Sequence, residues 1–330
     1  MSFKDILGQD KPIGILRQQF KENRLFTSYI FSGPEGIGKK LTAVALSKAL
    51  NCEKEDFNPC DACPTCLRIE KNQHPDFFLI DAGGLGDADN IAIPDSRAIK
   101  ISSVRQLQKS IALKPYEARY KVFIIDNAHN LTSEASNALL KILEEPPPHS
   151  LIMLVSSKPN LLFRTIISRC CVIKFYPLTR DELEGILRNT YLLHVNLAHF
   201  LAYFCDGRLG QAIRLKDTDI LREKNAVIDD FATTASFKPG SLQENRDGVR
   251  MLIHILLSWF RDIYLAKCGL APLQLIHCDR KPELLKLVPQ IAFQDLERVF
   301  NRLYESLGLV DDNVNIKLLQ ASLREELWRG

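Results

Sequence analysis

The sequence predicts an α/β domain built on a parallel sheet, followed by helical domains. Five short apolar runs rich in β-branched and aromatic residues predict the strands, at 28–32, 77–80, 122–125, 151–155 and 172–175. Amphipathic helical patterns separate most of these runs, and continuous apolar strands alternating with helices indicate a parallel sheet covered on both faces. No strand pattern continues beyond Leu178, and helical periodicity fills the rest of the 330 residues.

Two signals divide the chain into predicted domains. Thr179 with Glu182 three residues later forms a capping-box arrangement, which marks the start of a helix directly after the sheet. The polar, glycine-containing stretch 237–248 has the composition of a linker. The predicted domains are the α/β domain at 1–177, a small helical domain at 178–240 and a larger helical domain at 241–330.

The composition is that of an ordinary globular protein. Apolar residues make up 46% of the chain, charged residues 25%, and the formal net charge is only +3, so any nucleic-acid binding must come from local patches. The polar N-terminal segment carries no targeting signal. The most apolar run, Met251–Phe260, has about half of the ~20 residues that a membrane span needs. We therefore expect a cytoplasmic protein with no membrane partner.

The stretch GPEGIGKK, residues 33–40, lies between a predicted strand and a predicted helix. It matches the phosphate-binding pattern G-x-x-x-x-G-K-S/T except at the last position. In such a loop Gly33, Gly36 and Gly38 let the backbone wrap around an anion, while N–H groups, the helix N-terminus and Lys39 face the phosphates. The alternative is an ordinary glycine-rich turn.

Lys40 stands where the pattern requires a hydroxyl that holds Mg²⁺. An ammonium group has no lone pair, so it cannot ligate the metal and instead repels it. It can also lie along the phosphates and partly replace the charge of the metal. Nucleotide binding is therefore expected to be weakened or altered rather than abolished.

The stretch VFIIDNAHN supplies the acidic motif that accompanies such a loop. Asp126 ends a predicted buried strand and can assist Mg²⁺. The next residue, which would polarise the attacking water as a carboxylate, is Asn127, and an amide is a poor general base. Altered residues at both Lys40 and Asn127 predict that hydrolysis is lost.

A cluster of cysteines follows the first helix after the loop. The spacing C-x7-C-x2-C-x2-C suits four thiolates around one tetrahedral Zn²⁺, with no ligand position left for water. A structural zinc module at about 52–66 is therefore predicted, and free core cysteines are the alternative. The predicted metal ligands are Cys52, Cys60, Cys63 and Cys66.

Basic residues concentrate in the stretch before the acidic motif. Arg105 and Lys109 are four residues apart, so they share a helix face that can meet DNA phosphates. No aromatic residues are interleaved for stacking on bases, which makes sequence-specific binding an unfavoured reading. A solvated helix face is the more common meaning of such a pair.

Several stretches together resemble the AAA+ clamp-loader ATPases of bacterial DNA polymerase III. They are ILGQDKPIGILRQQFKENRLFTSYIFSGPEGIGK, the cysteine insert, TSEASNALLKILEEPPPHSLIMLVSS, SRC at 168–170 and LSWFRDIYLAK at 257–267. The resemblance implies an AAA+ P-loop domain with a zinc module, a small helical lid domain and a helical collar domain. It implies as partners other clamp-loader subunits of the gamma/tau and delta types, the sliding clamp and primer–template DNA.

The resemblance also assigns roles to individual residues. Arg169 of SRC corresponds to the arginine finger that reaches the nucleotide site of a neighbouring subunit. The alternative interpretation is a solvated surface arginine. Ser157 corresponds to a polar sensor, or is a simple strand-end turn residue. In this resemblance the position of a second sensing arginine corresponds to Gly210, with Arg208 nearby.

Three hypotheses follow. The first is a non-hydrolysing structural subunit that donates Arg169 to a neighbouring ATPase, whereas whether ATP and Mg²⁺ bind to the chain itself stays open. The second is an ATP-hydrolysing motor subunit of the gamma/tau type, since Gly33, Gly38, Lys39 and Asp126 are intact. The third is a zinc-stabilised nucleotide sensor or adaptor that is unrelated to replication.

Overall fold

The computed structural model describes residues 2–81, 84–85, 98–233, 245–269, 274–311 and 314–327. These residues form two compact units, Met1–Leu178 and Thr179–Gly330, each of which is described by itself. The division of the second unit into separate lid and collar domains stays a prediction.

The first unit contains a mixed sheet whose order, within the described residues, is β3-β2-β4-β5-β1-β6. All neighbours are parallel except β2 and β3, which are antiparallel. The five predicted strands are confirmed, and the short edge strand β3 was not predicted. The strands are β1 Ser28–Ser32, β2 Phe77–Asp81, β3 Gly84–Leu85, β4 Lys121–Ile125, β5 Ser150–Ser156 and β6 Cys171–Lys174.

Helices cover both faces of this sheet. Alternate side chains of β1 point to opposite faces, so that Tyr29 and Phe31 belong to one apolar cluster and Ile30 to the other. Because both faces are covered, β1, β4 and β5 are buried along their whole length, which explains their continuous apolar sequences. The helices are α1 Asp10–Lys21, α2 Lys39–Asn51, α3 Pro64–Glu70, α4 Ile101–Ile111, α5 Ser133–Glu144 and α6 Arg164–Ile167.

Helix α2 is fixed at its C-terminal end by its last side chain. The Asn51 amide nitrogen donates to the Tyr120 carbonyl at 3.0 Å, and the Tyr120 N–H donates to Asn51 Oδ1 at 2.9 Å. Tyr120 directly precedes β4, so this pair of hydrogen bonds ties the end of α2 to the start of that strand.

The second unit is helical throughout its described residues, as predicted. Its first helix begins with the predicted capping box, in which Thr179 Oγ1 accepts from the Glu182 N–H and the Glu182 carboxylate accepts from the Thr179 N–H. The helices are α7 Arg180–Asn189, α8 Val195–Phe204, α9 Leu209–Lys216, α10 Ile220–Thr233, α11 Arg246–Lys267, α12 Lys281–Leu287, α13 Phe293–Asp311 and α14 Ile316–Leu327.

The predicted linker at 237–248 lies partly outside the described residues, which resume at Asn245. Asn245 Oδ1 accepts from the Gly248 N–H at 2.8 Å and caps α11. The prediction that 246–248 belong to a linker is therefore wrong, because the cap starts the helix at Arg246. None of the helices in the described part of the chain combines the length and the apolar character that crossing a bilayer requires.

Candidate nucleotide and metal sites

The phosphate loop lies where β1 ends and α2 begins, in the predicted context. Gly33, Gly36 and Gly38 have φ angles of 144°, 79° and 96°, a region that favours glycine. A Cβ on Gly33 would lie 2.4 Å from the Phe175 carbonyl oxygen, so the backbone approaches its neighbour too closely for a side chain. The glycines therefore fit a loop that wraps around an anion.

Lys39 is buried inside this loop. Its ammonium donates to the Gly33 carbonyl at 2.6 Å and to the Pro34 carbonyl. Burial lowers the pKa of Lys39 to about 8, although the charges of Asp126 and Glu35 act in the opposite direction. The loop thus contains a cationic donor, which is what a phosphate requires there.

Lys40 forms an ion pair with the acidic motif. Its Nζ lies 3.0 Å from Asp126 Oδ2, with 41% of the Lys40 side chain and 16% of the Asp126 side chain exposed. The pair spans the end of β5, which separates β1 from β4 in the sheet. The position at which the loop pattern has a metal-ligating hydroxyl therefore holds a cation, and this cation is paired with the acidic side chain that could assist Mg²⁺.

Asn127 completes the altered acidic motif. It is exposed, has φ 51°, and its N–H donates to Asp126 Oδ1 at 3.0 Å. Asparagine tolerates this left-handed conformation better than most residues, which gives it a local structural role. Both oxygens of Asp126 are thus engaged, one by Lys40 and one by the Asn127 backbone, so the residues present do not fit Mg²⁺.

The end of β5 brings an unpredicted pair of polar side chains to the same edge of the sheet. Ser156 is fully buried, lies with its Oγ 3.4 Å from His129 Nδ1 and accepts from the Lys158 N–H at 3.2 Å. Burial, helped by the charges of Lys158 and Lys39, lowers the pKa of His129. Ser157 is partly exposed, and its sensor role stays a prediction. Ser156 pairs with Ser32 in the parallel register of β5 and β1, and this pairing could not be derived from the sequence.

Arg169 lies at the amino-terminal ends of the parallel strands, whereas the phosphate loop lies at their carboxyl ends. It precedes β6, whereas the loop follows β1, and these neighbouring strands are parallel. The four residues of β6 alone span roughly 13 Å at about 3.3 Å per residue. Arg169 is therefore separated from the phosphate loop of its own chain by the length of a strand.

The Arg169 guanidinium is held by contacts on this edge. It donates to the Thr165 carbonyl at 2.9 Å and to Glu144 Oε1 at 2.7 Å, with 35% of the Arg169 side chain and 51% of the Glu144 side chain exposed. Glu144 is the last residue of α5. The guanidinium is thus oriented by its own chain and remains accessible to a neighbour.

The four predicted cysteines come together. Their sulfur atoms all lie within 4.8 Å of one another. Four sulfurs around a tetrahedral zinc with Zn–S bonds of about 2.3 Å are roughly 3.8 Å apart, so the cluster needs only a small contraction. Such a cluster can hold a metal ion, and four thiolates leave no ligand position for water. The ligands are Cys52 directly after α2, Cys60 and Cys63 in the following loop, and Cys66 in α3.

Backbone N–H groups point at the sulfur atoms of this cluster. The N–H of Cys60 donates to Cys52 Sγ at 3.3 Å and that of Cys63 donates to Cys60 Sγ at 3.3 Å. The backbone N–H groups of Ala62 and Cys63 lower the pKa of Cys60 to about 6, while burial raises the pKa values of Cys52 and Cys66. Donors aimed at sulfur favour the thiolate form that a metal requires.

Lys48 of α2 connects this helix to the segment that carries the cysteine cluster. Its role was not predicted from the sequence. Only 1% of its side chain is exposed, and its ammonium contacts Asp61 at 2.9 Å and also Glu70. Burial alone would lower the pKa of Lys48, but the hydrogen bonds to Glu70 and Asp61 outweigh it and raise the pKa. No spacing in the sequence marks this contact, because the partners are 13 and 22 residues away.

Arg105 and Lys109 are exposed one turn apart on α4, as the periodicity predicted. Their contact with DNA stays a prediction. Other basic residues of this stretch have local roles: Lys121 is buried and donates to three carbonyls around the end of α4, and Arg119 donates to Glu55 and to the Cys52 carbonyl.

The position that the resemblance assigns to a second sensing arginine lies in the second unit. Gly210 is in the first turn of α9, and the Arg208 Nε donates to the Cys205 carbonyl at 2.8 Å. The correspondence of Gly210 to the sensor position stays a prediction.

The fold and the sites define the class of this protein. A phosphate loop after β1, an acidic residue after β4, a cysteine insert after α2 and a helical second unit describe a P-loop α/β protein of the AAA+ class. The family described as "DNA polymerase III, delta subunit" matches residues 8–179, more than half of the chain. The chain belongs to this family, and the resemblance and the fold class predicted from the sequence are confirmed.

Named relatives are found among bacterial replication proteins. The chain is 31% identical to DNA polymerase III subunit delta′ of Bacillus subtilis over 220 residues, which cover 67% of this chain and 63% of that protein. It is 35% identical to DNA polymerase III subunit tau of Salmonella typhimurium over 225 residues, which cover 66% of this chain and 33% of that protein. The match thus spans less than two thirds of either relative.

A solved structure similar to this chain is a DNA polymerase III gamma subunit-related protein of Thermotoga maritima. It shares 15% identity, covers 97% of this chain and 99% of its own, and has a TM-score of 0.47. At that score the similarity adds nothing to the fold class, which rests on the sheet order and the sites themselves.

Proposed function

We propose that this chain is a non-hydrolysing, delta-prime-type subunit of the bacterial DNA polymerase III clamp loader. The observation that carries the proposal is the ion pair between Lys40 and Asp126, 3.0 Å long, in the place of the two side chains that would hold Mg²⁺. Family membership and the similarity to a delta′ subunit support the clamp-loader assignment.

The lost hydrolysis follows from two deficits that act on different steps. Without a bound metal, the charge that develops on the phosphates during transfer lacks its main neutralising group. Without a carboxylate at Asn127, the attacking water lacks a base. Each deficit alone slows the reaction, and together they leave a loop that is shaped for phosphate but not for its cleavage.

The contribution of the chain to catalysis is then made in trans. Arg169 lies at the amino-terminal ends of the strands, remote from the phosphate loop of its own chain. Its guanidinium is oriented by Glu144 and is partly exposed. This placement suits an arginine finger that enters the nucleotide site of a neighbouring gamma/tau-type subunit. The further partners of the proposal are the delta-type subunit, the sliding clamp and primer–template DNA, with Arg105 and Lys109 as DNA contacts.

The experiment that tests this function compares Arg169→Ala with Arg164→Ala in a clamp loader reassembled from all its subunits. Arg164 is an exposed arginine on the adjacent α6, which makes it a matched control. Removal of a finger costs about 10³–10⁵ in related phosphoryl transfers, so R169A should reduce turnover at the neighbouring site by about 10²-fold or more. Unchanged ATP turnover and clamp loading in R169A would refute the finger.

The alternative function is an ATP-hydrolysing motor subunit of the gamma/tau type. The intact loop glycines, the buried Lys39 and 35% identity to a tau subunit favour it. Turnover of ATP by the purified chain, abolished by Lys39→Ala, would establish this function over the first. We expect no turnover above that of K39A.

The four-cysteine cluster is proposed to hold a structural Zn²⁺. The sulfur geometry, the N–H donors aimed at sulfur and the lack of a ligand position for water support a closed site. In that role the ion holds α3 and the preceding loop against the end of α2, and it takes no part in phosphate chemistry.

A further inference from the structure

The phosphate loop fits a nucleotide polyphosphate, whereas the side chains around it do not fit the metal that normally accompanies one. Three glycines with positive φ and the buried ammonium of Lys39 form the anion cradle. Lys40 and Asp126 neutralise each other where Mg²⁺ would be held. We propose that this loop binds a nucleoside polyphosphate without a divalent cation, and that the Lys40 ammonium takes the place of the metal.

The position of Lys40 supports this role. It is the second residue of α2, so its backbone stands at the helix N-terminus on which phosphate rests. With 41% of its side chain exposed, Lys40 is free to swing from Asp126 toward a bound phosphate, whereas Lys39 is enclosed by the loop. Both ammonium groups are therefore close to the loop at which a polyphosphate would bind.

The charges explain why metal and lysine exclude each other. A metal-free nucleoside triphosphate is strongly anionic and needs cations close to its terminal phosphates, which Lys39 and Lys40 supply. A Mg²⁺ ion entering the same space would meet the Lys40 ammonium as a like charge and would find Asp126 already paired. A lysine in place of the hydroxyl residue removes a ligand of the metal, but its ammonium keeps a positive charge at this position.

Asp126 competes with the phosphates for the Lys40 ammonium in this arrangement. It receives the Lys40 ammonium at Oδ2 and the Asn127 N–H at Oδ1, and so holds Lys40 close to the loop before nucleotide arrives. Its negative charge then opposes that of the phosphates. The inference goes beyond the proposed function, which holds whether or not nucleotide binds at this loop.

The test measures equilibrium binding of ATP and of ADP to the full chain by calorimetry, in EDTA and in Mg²⁺. For the unmodified chain we expect dissociation constants that agree within about threefold in the two conditions. For Lys40→Thr, which supplies a hydroxyl ligand, we expect affinity in EDTA to fall by about tenfold or more and to recover in Mg²⁺. Lys11→Thr, a change at an exposed lysine of α1, should behave as the unmodified chain does.

Two further variants keep the inference falsifiable if K40T does not fold. Lys40→Arg retains the charge and should keep metal-independent binding. Asp126→Asn frees Lys40 from its counter-ion and should bind ATP more tightly in EDTA. The inference is overturned if the unmodified chain binds no nucleotide in either condition, if Mg²⁺ strengthens its binding by about tenfold or more, or if D126N weakens binding in EDTA.

Discussion

Helix α2 begins at the phosphate loop and ends at the first cysteine of the four-cysteine cluster. The field of a helix favours anions at its N-terminus, which suits a phosphate at the loop. At the C-terminal end all four sulfur ligands come together within 4.8 Å. At the N-terminal end a lysine side chain stands where a metal ligand would be, 3.0 Å from the acidic residue.

The metal sites expected at the two ends of α2 would have different roles, one in stabilising the fold and the other in the reaction. An ion at the cysteine cluster would hold a loop and a short helix in place, so loss of any ligand costs stability. A metal at the phosphate loop would serve the reaction alone, and the loop conformation rests on its glycines and on Lys39 instead. The chain thus carries four sulfur ligands close together at one end of α2 and, at the other end, a lysine where the loop pattern has a metal-ligating hydroxyl.

The largest expected effect on stability comes from removing a metal ligand at the C-terminal end of α2. Cys66→Ser should abolish binding of one zinc ion per chain and lower the free energy of unfolding by about 3 kcal/mol or more, because structural zinc binding contributes about 10–16 kcal/mol in small zinc domains. Zinc content and urea unfolding measure the two effects. Cys268→Ser, at an exposed cysteine outside the cluster, is the control. Equal zinc content in both variants would contradict the metal assignment.

The next largest effect on stability is expected from a substitution in the phosphate loop, at the N-terminal end of α2. Gly33→Ala should lower the free energy of unfolding by about 2–3 kcal/mol, because its Cβ meets the Phe175 carbonyl oxygen at 2.4 Å and its φ of 144° is strained for alanine. Gly14→Ala in α1 meets nothing within 4 Å and should stabilise the chain by about 0.5–1 kcal/mol. Thermal unfolding measures both variants. A neutral G33A would show that the loop relaxes.

Lys48→Met tests the connection between α2 and the cluster. It removes a buried cation and leaves Asp61 and Glu70, which are 30% and 43% exposed and can be solvated. Loss of one partner of a fully buried pair costs about 3–5 kcal/mol, so with these exposed partners we expect about 2 kcal/mol. Urea unfolding compares K48M with Lys54→Met, a change at an exposed lysine beyond α2. Equal stability of the two variants would mean that the ion pairs contribute nothing.

The smallest expected effect is the pH dependence of nucleotide binding at the N-terminal end. The pKa of Lys39 is lowered to about 8, and the protonated form binds phosphate. The affinity for ATP in EDTA should therefore fall as pH rises through that value, by about eightfold between about pH 7.5 and 9. Lys39→Arg, which stays protonated, should give a flat profile over this range. A flat profile for the unmodified chain would place the charge change elsewhere.

The fold was largely predictable because burial on both faces makes strands continuously apolar. The strands β1, β4 and β5 could be recognised for this reason. The edge strand β3 escaped prediction because two residues carry no periodicity. The linker was placed too far along the chain because polar residues also start helices, as Asn245 does.

The sites were predictable by residue but not by contact. Lys40 and Asp126 were both selected from their motifs, yet their ion pair depends on a sheet order in which β5 lies between β1 and β4. The partner of Arg169, Glu144, comes from another element, and nothing in the sequence joins them. Motifs identify residue types at local spacing, whereas long-range pairing is fixed only by the packed structure.

The hydrogen bonds between Asn51 and Tyr120 have a consequence for insertions and deletions. Helix α2 has 13 residues, with Lys39 fixed by the phosphate loop at one end and Asn51 fixed by the start of β4 at the other. Each added or deleted residue would rotate Asn51 by about 100° around the helix axis and take its amide away from Tyr120. Insertion or deletion of a single residue within α2 is therefore expected to break one of its two fixed ends.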